Sequence, residues 1–324
     1  MITMIRTSHV GSFPLQHSID NLRRIINDLY SLGLDVPPYP QLRDFIEIYL
    51  ESLVSSGIIE KKGDFYFGKK NRIFNAEFPE PSIPEAEYMV SILRAEGYNF
   101  KWIRGPVTGP FTLASRIYLE KDLTKGMAST ALTIKEIVEK FASYSRSFIE
   151  YLAKLGFNVL FIDEPVLGVI VGRRRILYGY RDSDIINIIN KVFEGIPGEH
   201  GIHVCGRISP KLFELLTQVK NIDVLNFEFY DTPKNIEIID ASKLIDNGKK
   251  LAPGIVSAKK PQIESLGDVR KLLLKISEKA SGQIDLVSAD CGFGGLSINN
   301  DRGKAYKIGL EKLKIVIEAV KSLG

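Results

Sequence analysis

The chain has 324 residues, 44% of them hydrophobic and 25% charged, with a formal net charge of +4. That length supports one large domain with a well-buried core, and so small a net charge argues against a dedicated nucleic-acid binder. Two cysteines are too few for a disulfide framework, and the longest apolar run, PVLGVIV at 165–171, falls far short of the ~20 residues that span a bilayer.

The first residues, MITMIRTSHVGSF, lack the apolar core and cleavage site of a signal peptide. A cytoplasmic protein without membrane contact is therefore expected, with a single Cys205–Cys291 disulfide as the alternative to reduced thiols.

Eight apolar or β-branched segments follow one another: MIRTSHVGSF (4–13), RIFNAEF (72–78), NFKWIRGPVT (99–108), NVLFIDEPVL (158–167), GIHVCG (201–206), DVLNFEF (223–229), KLAPGIVSA (250–258) and IDLVSADCGF (284–293). Between them, 82–97, 127–156, 210–220, 261–280 and 304–324 space their apolar residues as helices do. Strand alternating with helix to a count of eight predicts an α/β fold, a closed (β/α)₈ TIM barrel, over the single domain 1–324. A doubly wound open sheet is the competing architecture, but no GxGxxG follows the first strand. Residues 15–71 read as a helical insert after strand one, ending in IIEKKGDFYFGKK, a candidate hairpin. GRRRILYGYR (172–181) is a further excursion whose Arg173, Arg174 and Arg175 read as a solvated loop or an attractor for an anionic tail.

In such a barrel the active site forms at the C-terminal ends of the strands. Strand five ends in His203-Val204-Cys205-Gly206, and residues two apart on a strand face the same side. Strand six carries Glu228 and strand eight ends in Asp290-Cys291-Gly292. His203, Cys205, Glu228 and Cys291 form a donor set of N, S, O and S that suits Zn²⁺, with Glu228 the least secured. A His and a Cys on one strand are more often core than ligand, but here both cysteines end strands and precede glycine.

FIDEPVL places Asp163 and Glu164 at the end of strand four. An unpaired buried carboxylate is costly, so one of the two is expected to hold a cationic group such as a substrate ammonium, or else an ion pair. Adjacent strand residues point opposite ways, so only one faces the substrate. Gly11 and Ser12 in SHVGSF offer backbone N–H groups and a hydroxyl for a carboxylate, against the plainer reading of a glycine turn. His9 reads as a packed histidine. Glu77, at the end of the expected second strand, reads as a further amine partner or a solvated acid. Phe111 in GPFTLAS reads as a pocket wall or a core residue.

Together these residues resemble the catalytic C-terminal barrel of cobalamin-independent methionine synthases. The resemblance runs nearly end to end through SHVGSFP, GPVT, IDEP, HVCG, the strand-six Glu and DCG. The combination of IDEP, HxC and DCG in that order is specific; GPVT and GSF alone are weak. It is most similar to the short archaeal core forms, which lack the family's N-terminal barrel.

The resemblance implies zinc on His203, Cys205, Glu228 and Cys291, the homocysteine amino group on Asp163, and its carboxylate region at Gly11 and Ser12. Glu77 aligns loosely with the family's acid after strand two. Two positions depart from the pattern. PGIVSAKKPQ has Lys259 nearest to where large forms carry a histidine that helps protonate the folate leaving group, and GPFTLA lacks their folate-stacking tryptophan. The methyl donor implied is a methyl-tetrahydropterin or folate, with Lys259 or a water supplying the proton, or methylcobalamin on a corrinoid protein. HVCG and GPFTLA are also similar to zinc methyltransferases that methylate coenzyme M, and a zinc-bearing accessory protein without turnover is a further alternative. Uroporphyrinogen decarboxylases share the fold but use no zinc.

Overall fold

The computed structural model describes residues 4–119 and 123–323. The first residues of the N-terminal segment and Gly324, the end of the last helical run, lie outside the described residues.

In chain order the elements are α1 (Ile19–Leu32), α2 (Glu47–Ser55), β1 (Ile59–Lys62), β2 (Phe65–Gly68), α3 (Lys70–Asn75), α4 (Pro84–Glu96), β3 (Arg104–Thr108), α5 (Pro110–Ser115), β4 (Ile117–Tyr118), α6 (Lys135–Leu155), β5 (Val159–Asp163), α7 (Pro165–Ile170), α8 (Asp182–Phe193), β6 (Glu199–Val204), α9 (Pro210–Thr217), β7 (Val224–Glu228), α10 (Ala241–Asp246), β8 (Lys250–Gly254), α11 (Leu266–Lys279) and α12 (Arg302–Lys321). Helix starts follow local chemistry. Ser18, Ser209, Ser265 and Asp301 each cap a helix by accepting a backbone N–H, and proline occupies the first turn of α4, α5, α7 and α9.

The strands β3-β5-β6-β7-β8 form a parallel sheet in that order. Shorter parallel bridges close it. Leu251 pairs with Ile284 and Gly254 with Ser288, Thr7 pairs with Val287, Ser8 with Val36, and Pro38 with Arg104. The ring therefore has eight members: residues near 7–8, near 36–38, β3, β5, β6, β7, β8 and 284–288. The (β/α)₈ barrel is confirmed. The eighth member is irregular because Leu286 has a φ of 48°, a kink held by Asp285, whose Oδ1 accepts the N–H groups of both Leu286 and Arg6.

The second barrel segment is not the one expected. RIFNAEF begins with the last residues of α3, which ends at Asn75, and the barrel is completed by Val36-Pro37-Pro38-Tyr39-Pro40-Gln41 instead. Three prolines disqualify that stretch by strand propensity. They are accommodated because the donors the ring needs are Val36, Tyr39 and Gln41, whose N–H groups reach the carbonyls of Thr7, Arg104 and Gly11. The 15–71 insert is corrected with it: α1 is the ordinary helix between the first two barrel segments, and the excursion follows the second. It holds α2, α3 and the expected hairpin, β1 antiparallel to β2, which β4 extends in parallel.

Candidate metal and substrate site

At the C-terminal ends of the strands, β6 carries His203 into the barrel mouth and Cys205 follows it. His203 Nε2 lies 3.0 Å from Cys205 Sγ, and Cys205 Sγ lies 3.3 Å from Cys291 Sγ. The three donor atoms all fall within 4.8 Å of one another, and both cysteines are free thiols. The hydrogen bond between the thiols raises Cys205 and lowers Cys291, so the pair favours one thiolate. Burial works against a charged His203, but its hydrogen bond to Cys291 and the charges of Cys291 and Asp163 together outweigh that and raise its pKa.

Glu228 ends β7 and lies outside that three-atom cluster. It is buried; Oε2 accepts a hydrogen bond from Thr232, while Oε1 has no hydrogen-bond partner and lies 3.7 Å from Lys259 Nζ. His203 Nδ1 and Asp163 Oδ1 are likewise buried without a hydrogen bond. Orphaned buried polar atoms are rare in a finished fold, and three of them beside two thiols suit a set of ligands and anchors for something bound. The N, S, S and O donors present fit a borderline-soft divalent metal.

A cavity of about 920 Å³ opens over the cluster and is lined by Ser12, Asp163, His203, Cys205, Lys259 and Cys291 among others. Of the two acids of IDEP, Asp163 faces this cavity, and burial pushes its pKa up to about 6. Glu164 turns the other way. It accepts hydrogen bonds from the N–H groups of Phe111 and Thr112 and the Thr112 hydroxyl, and so anchors the start of α5.

Ser12 lines the cavity; its carbonyl accepts from Phe293 N–H and its hydroxyl from Gly294 N–H, which ties the first barrel segment to the loop after Cys291. Gly11 is not available as a carboxylate donor. Its N–H is spent on His9 Nδ1 at 3.1 Å, and its φ of 143° explains the glycine. His9 is a packed residue, as its sequence context suggested. It lies against Phe13 and Phe293, and burial lowers its pKa to about 3.

Two expected site residues are placed elsewhere. Glu77 is exposed and lines a separate groove beside Lys140, because the segment before it is a helix and not a barrel strand. Phe111 is fully buried against Tyr180, so its side chain belongs to the core and only its N–H serves the site, through Glu164. Arg173, Arg174 and Arg175 are exposed and do not line the cavity.

Sequence reasoning missed two supports. Asp290 accepts the N–H groups of Phe229, Tyr230 and Asp231, clamping the loop beyond Glu228. Buried Asn235 donates to the carbonyls of Gly206 and Glu228 and accepts from Ile208 N–H, joining the loops after β6 and β7. An Asp directly before a candidate ligand is a visible signal; Asn235 carries none.

The family model for the cobalamin-independent synthase catalytic domain matches residues 31–304. A methionine synthase of Methanocaldococcus jannaschii is 25% identical, covering 97% of this chain and 98% of its own. One from Pyrococcus furiosus is 22% identical over 100% of this chain and 88% of its own. Among solved structures, the B12-independent methionine synthase of a Shewanella species, in complex with selenomethionine, superposes with a TM-score of 0.69 at 17% identity, covering 99% of this chain and 100% of that one. A methyltransferase of Methanosarcina mazei gives 0.69 at 14% identity, over 100% and 95%. The match over most of the chain, together with a barrel whose mouth holds the His–Cys–Cys cluster, identifies the protein as a member of the cobalamin-independent methionine synthase family, a methyltransferase of that type.

Proposed function

We propose that the protein methylates the sulfur of homocysteine to form methionine, with zinc held by His203, Cys205 and Cys291 and with Glu228 as the fourth donor. The observation that carries this reading is the three-donor cluster sharing one cavity with the unpaired carboxylate of Asp163. Coenzyme M has no ammonium for that carboxylate to bind, which favours homocysteine. A bound zinc ion would hold a substrate thiol as thiolate, the nucleophilic form, at neutral pH.

The chain's own residues do the rest. Asp163 accepts the substrate ammonium, and the charge it meets there favours its ionised form. Ser12, which lines the same cavity, would meet the carboxylate end. Fixing the amino acid at both ends aims its sulfur along one line and removes the entropy of finding it. The rest of the cavity receives the methyl donor, a methyl-tetrahydropterin or folate, or a methyl-corrinoid carried by a partner protein. A pterin leaves only when its nitrogen is protonated, and Lys259, exposed at the cavity wall, or a water would supply that proton. A corrinoid needs no acid. Two free thiols at the site accord with a reducing, cytoplasmic location.

The test is homocysteine methylation by the zinc-loaded protein with free methylcobalamin and a methyl-tetrahydropterin in parallel. Zinc-dependent turnover with either supports the assignment and names the donor. Tight zinc binding with no response to homocysteine, by turnover or by metal spectroscopy, supports the accessory-protein alternative instead.

A further inference from the structure

One charged residue is unused by this mechanism. Arg104, at the start of β3, is fully buried inside the barrel. Among the described residues no carboxylate lies within ion-pair distance. Its hydrogen bonds are two long ones to Asn226 Oδ1, at 3.4 and 3.5 Å, and its Nε has none. Its guanidinium lies over the Phe161 ring, 3.8 Å from the centroid. A buried, poorly bonded cation is expensive, so something must compensate it.

The register shows where that charge sits. Strand residues two apart share a side. Phe161, beneath the guanidinium, is two residues before Asp163 on β5. Asn226, its hydrogen-bond partner, is two residues before Glu228 on β7 and pairs with His203 across the sheet. The Phe161 ring also occupies the space over Gly201, two residues before His203: a Cβ there would come within 2.2 Å of the ring. Gly201 thus admits the ring that carries the guanidinium. By register the two residues that hold the guanidinium stand one side-chain step, ~7 Å of strand rise, below Asp163 and Glu228, with Asn226 level with His203.

Two thiolates and a carboxylate outweigh a divalent metal by one negative charge, and a substrate thiolate adds another. In a closed barrel that excess is poorly solvated. We propose that Arg104 is the charge-compensating cation of this site, a positioning residue that favours the incoming thiolate without touching it or the metal. This rests on the metal–thiolate reading above.

A unit charge ~7 Å away at an effective dielectric near 20 changes affinity on the order of tenfold to a hundredfold. The experiment compares native protein, Arg104→Met and Arg104→Lys. Zinc affinity is read by chelator competition. Homocysteine affinity is read from the sulfur-to-metal charge-transfer band of the cobalt(II)-loaded protein. The expected result is folded Arg104→Met with homocysteine affinity at least tenfold weaker and a smaller change in zinc affinity, and Arg104→Lys restoring most of the loss. A native homocysteine affinity in folded Arg104→Met, or equal losses in the two variants, overturns the proposal. Should Arg104→Met fail to fold, Asn226→Asp keeps the volume and sets a carboxylate against the guanidinium. A weakened homocysteine affinity there supports the proposal, and a native one overturns it. A native protein that shows no metal–thiolate band at all overturns the functional reading instead.

Discussion

The two ends of the barrel handle buried charge in opposite ways. At the end where the strands begin, Arg6 reaches Glu199 at 2.7 Å and Asp285 at 2.5 Å, and lies 4.8 Å from the centre of the Trp102 ring. Asp285 also accepts the N–H groups of Arg6 and Leu286. Each charged group in that plug has a close partner. At the other end His203 Nδ1, Asp163 Oδ1 and Glu228 Oε1 have no hydrogen-bond partner, in a fold that otherwise takes care to satisfy Glu164 and Asp290. Polar groups that close on each other hold the barrel shut; polar groups left open at the strand C-termini await a ligand.

Substitutions at the two ends should therefore separate function from stability. The largest effect is expected from Cys291→Ser. It removes a donor from the cluster and should cost at least ~1000-fold in methyl transfer, about 4 kcal/mol, with zinc lost on metal analysis. Retention of full zinc and activity would remove Cys291 from the ligand set. Asp163→Asn should leave zinc stoichiometry unchanged but weaken use of homocysteine by roughly 10- to 100-fold, the value of one charge-assisted hydrogen bond. Loss of zinc as well would contradict its role as the ammonium anchor.

At the closed end the pattern should invert. Arg6→Met leaves two acids facing each other and should lower unfolding stability by about 2–3 kcal/mol, less than for a fully buried pair because Glu199 retains some solvent contact. Its kcat should stay native at temperatures where it is folded; a fall in kcat without a fall in denaturation midpoint would break the contrast. The smallest effect belongs to Lys259→Met, a loss limited because water can supply the proton in its place, confined to a pterin donor and absent with methylcobalamin. An equal loss with both donors would assign Lys259 to holding Glu228 instead of protonating a leaving group.

Much of this was written in the local chain. Alternating apolar strands and periodic helices announce the barrel, because burial on both faces and on one stripe are properties of neighbouring residues. HVC announces two donors because a strand's period is two, and the Asp of IDEP announces itself because a strand-end acid needs a reason. What the chain alone misplaced was the second strand, since Val36–Gln41 has the composition of a turn and becomes part of the ring only because Thr7, Gly11 and Arg104 present carbonyls to the donors it has left. Glu77 fell with that strand, and Gly11 lost its assigned role to a hydrogen bond with His9 that spacing does not encode. The convergence of His203, Cys205 and Cys291, 86 residues apart at the cysteines, and the stacking of Arg104 beneath them were decided by barrel closure. Closure brings together strand ends that are distant in sequence, and no local pattern records which side chains then share a layer.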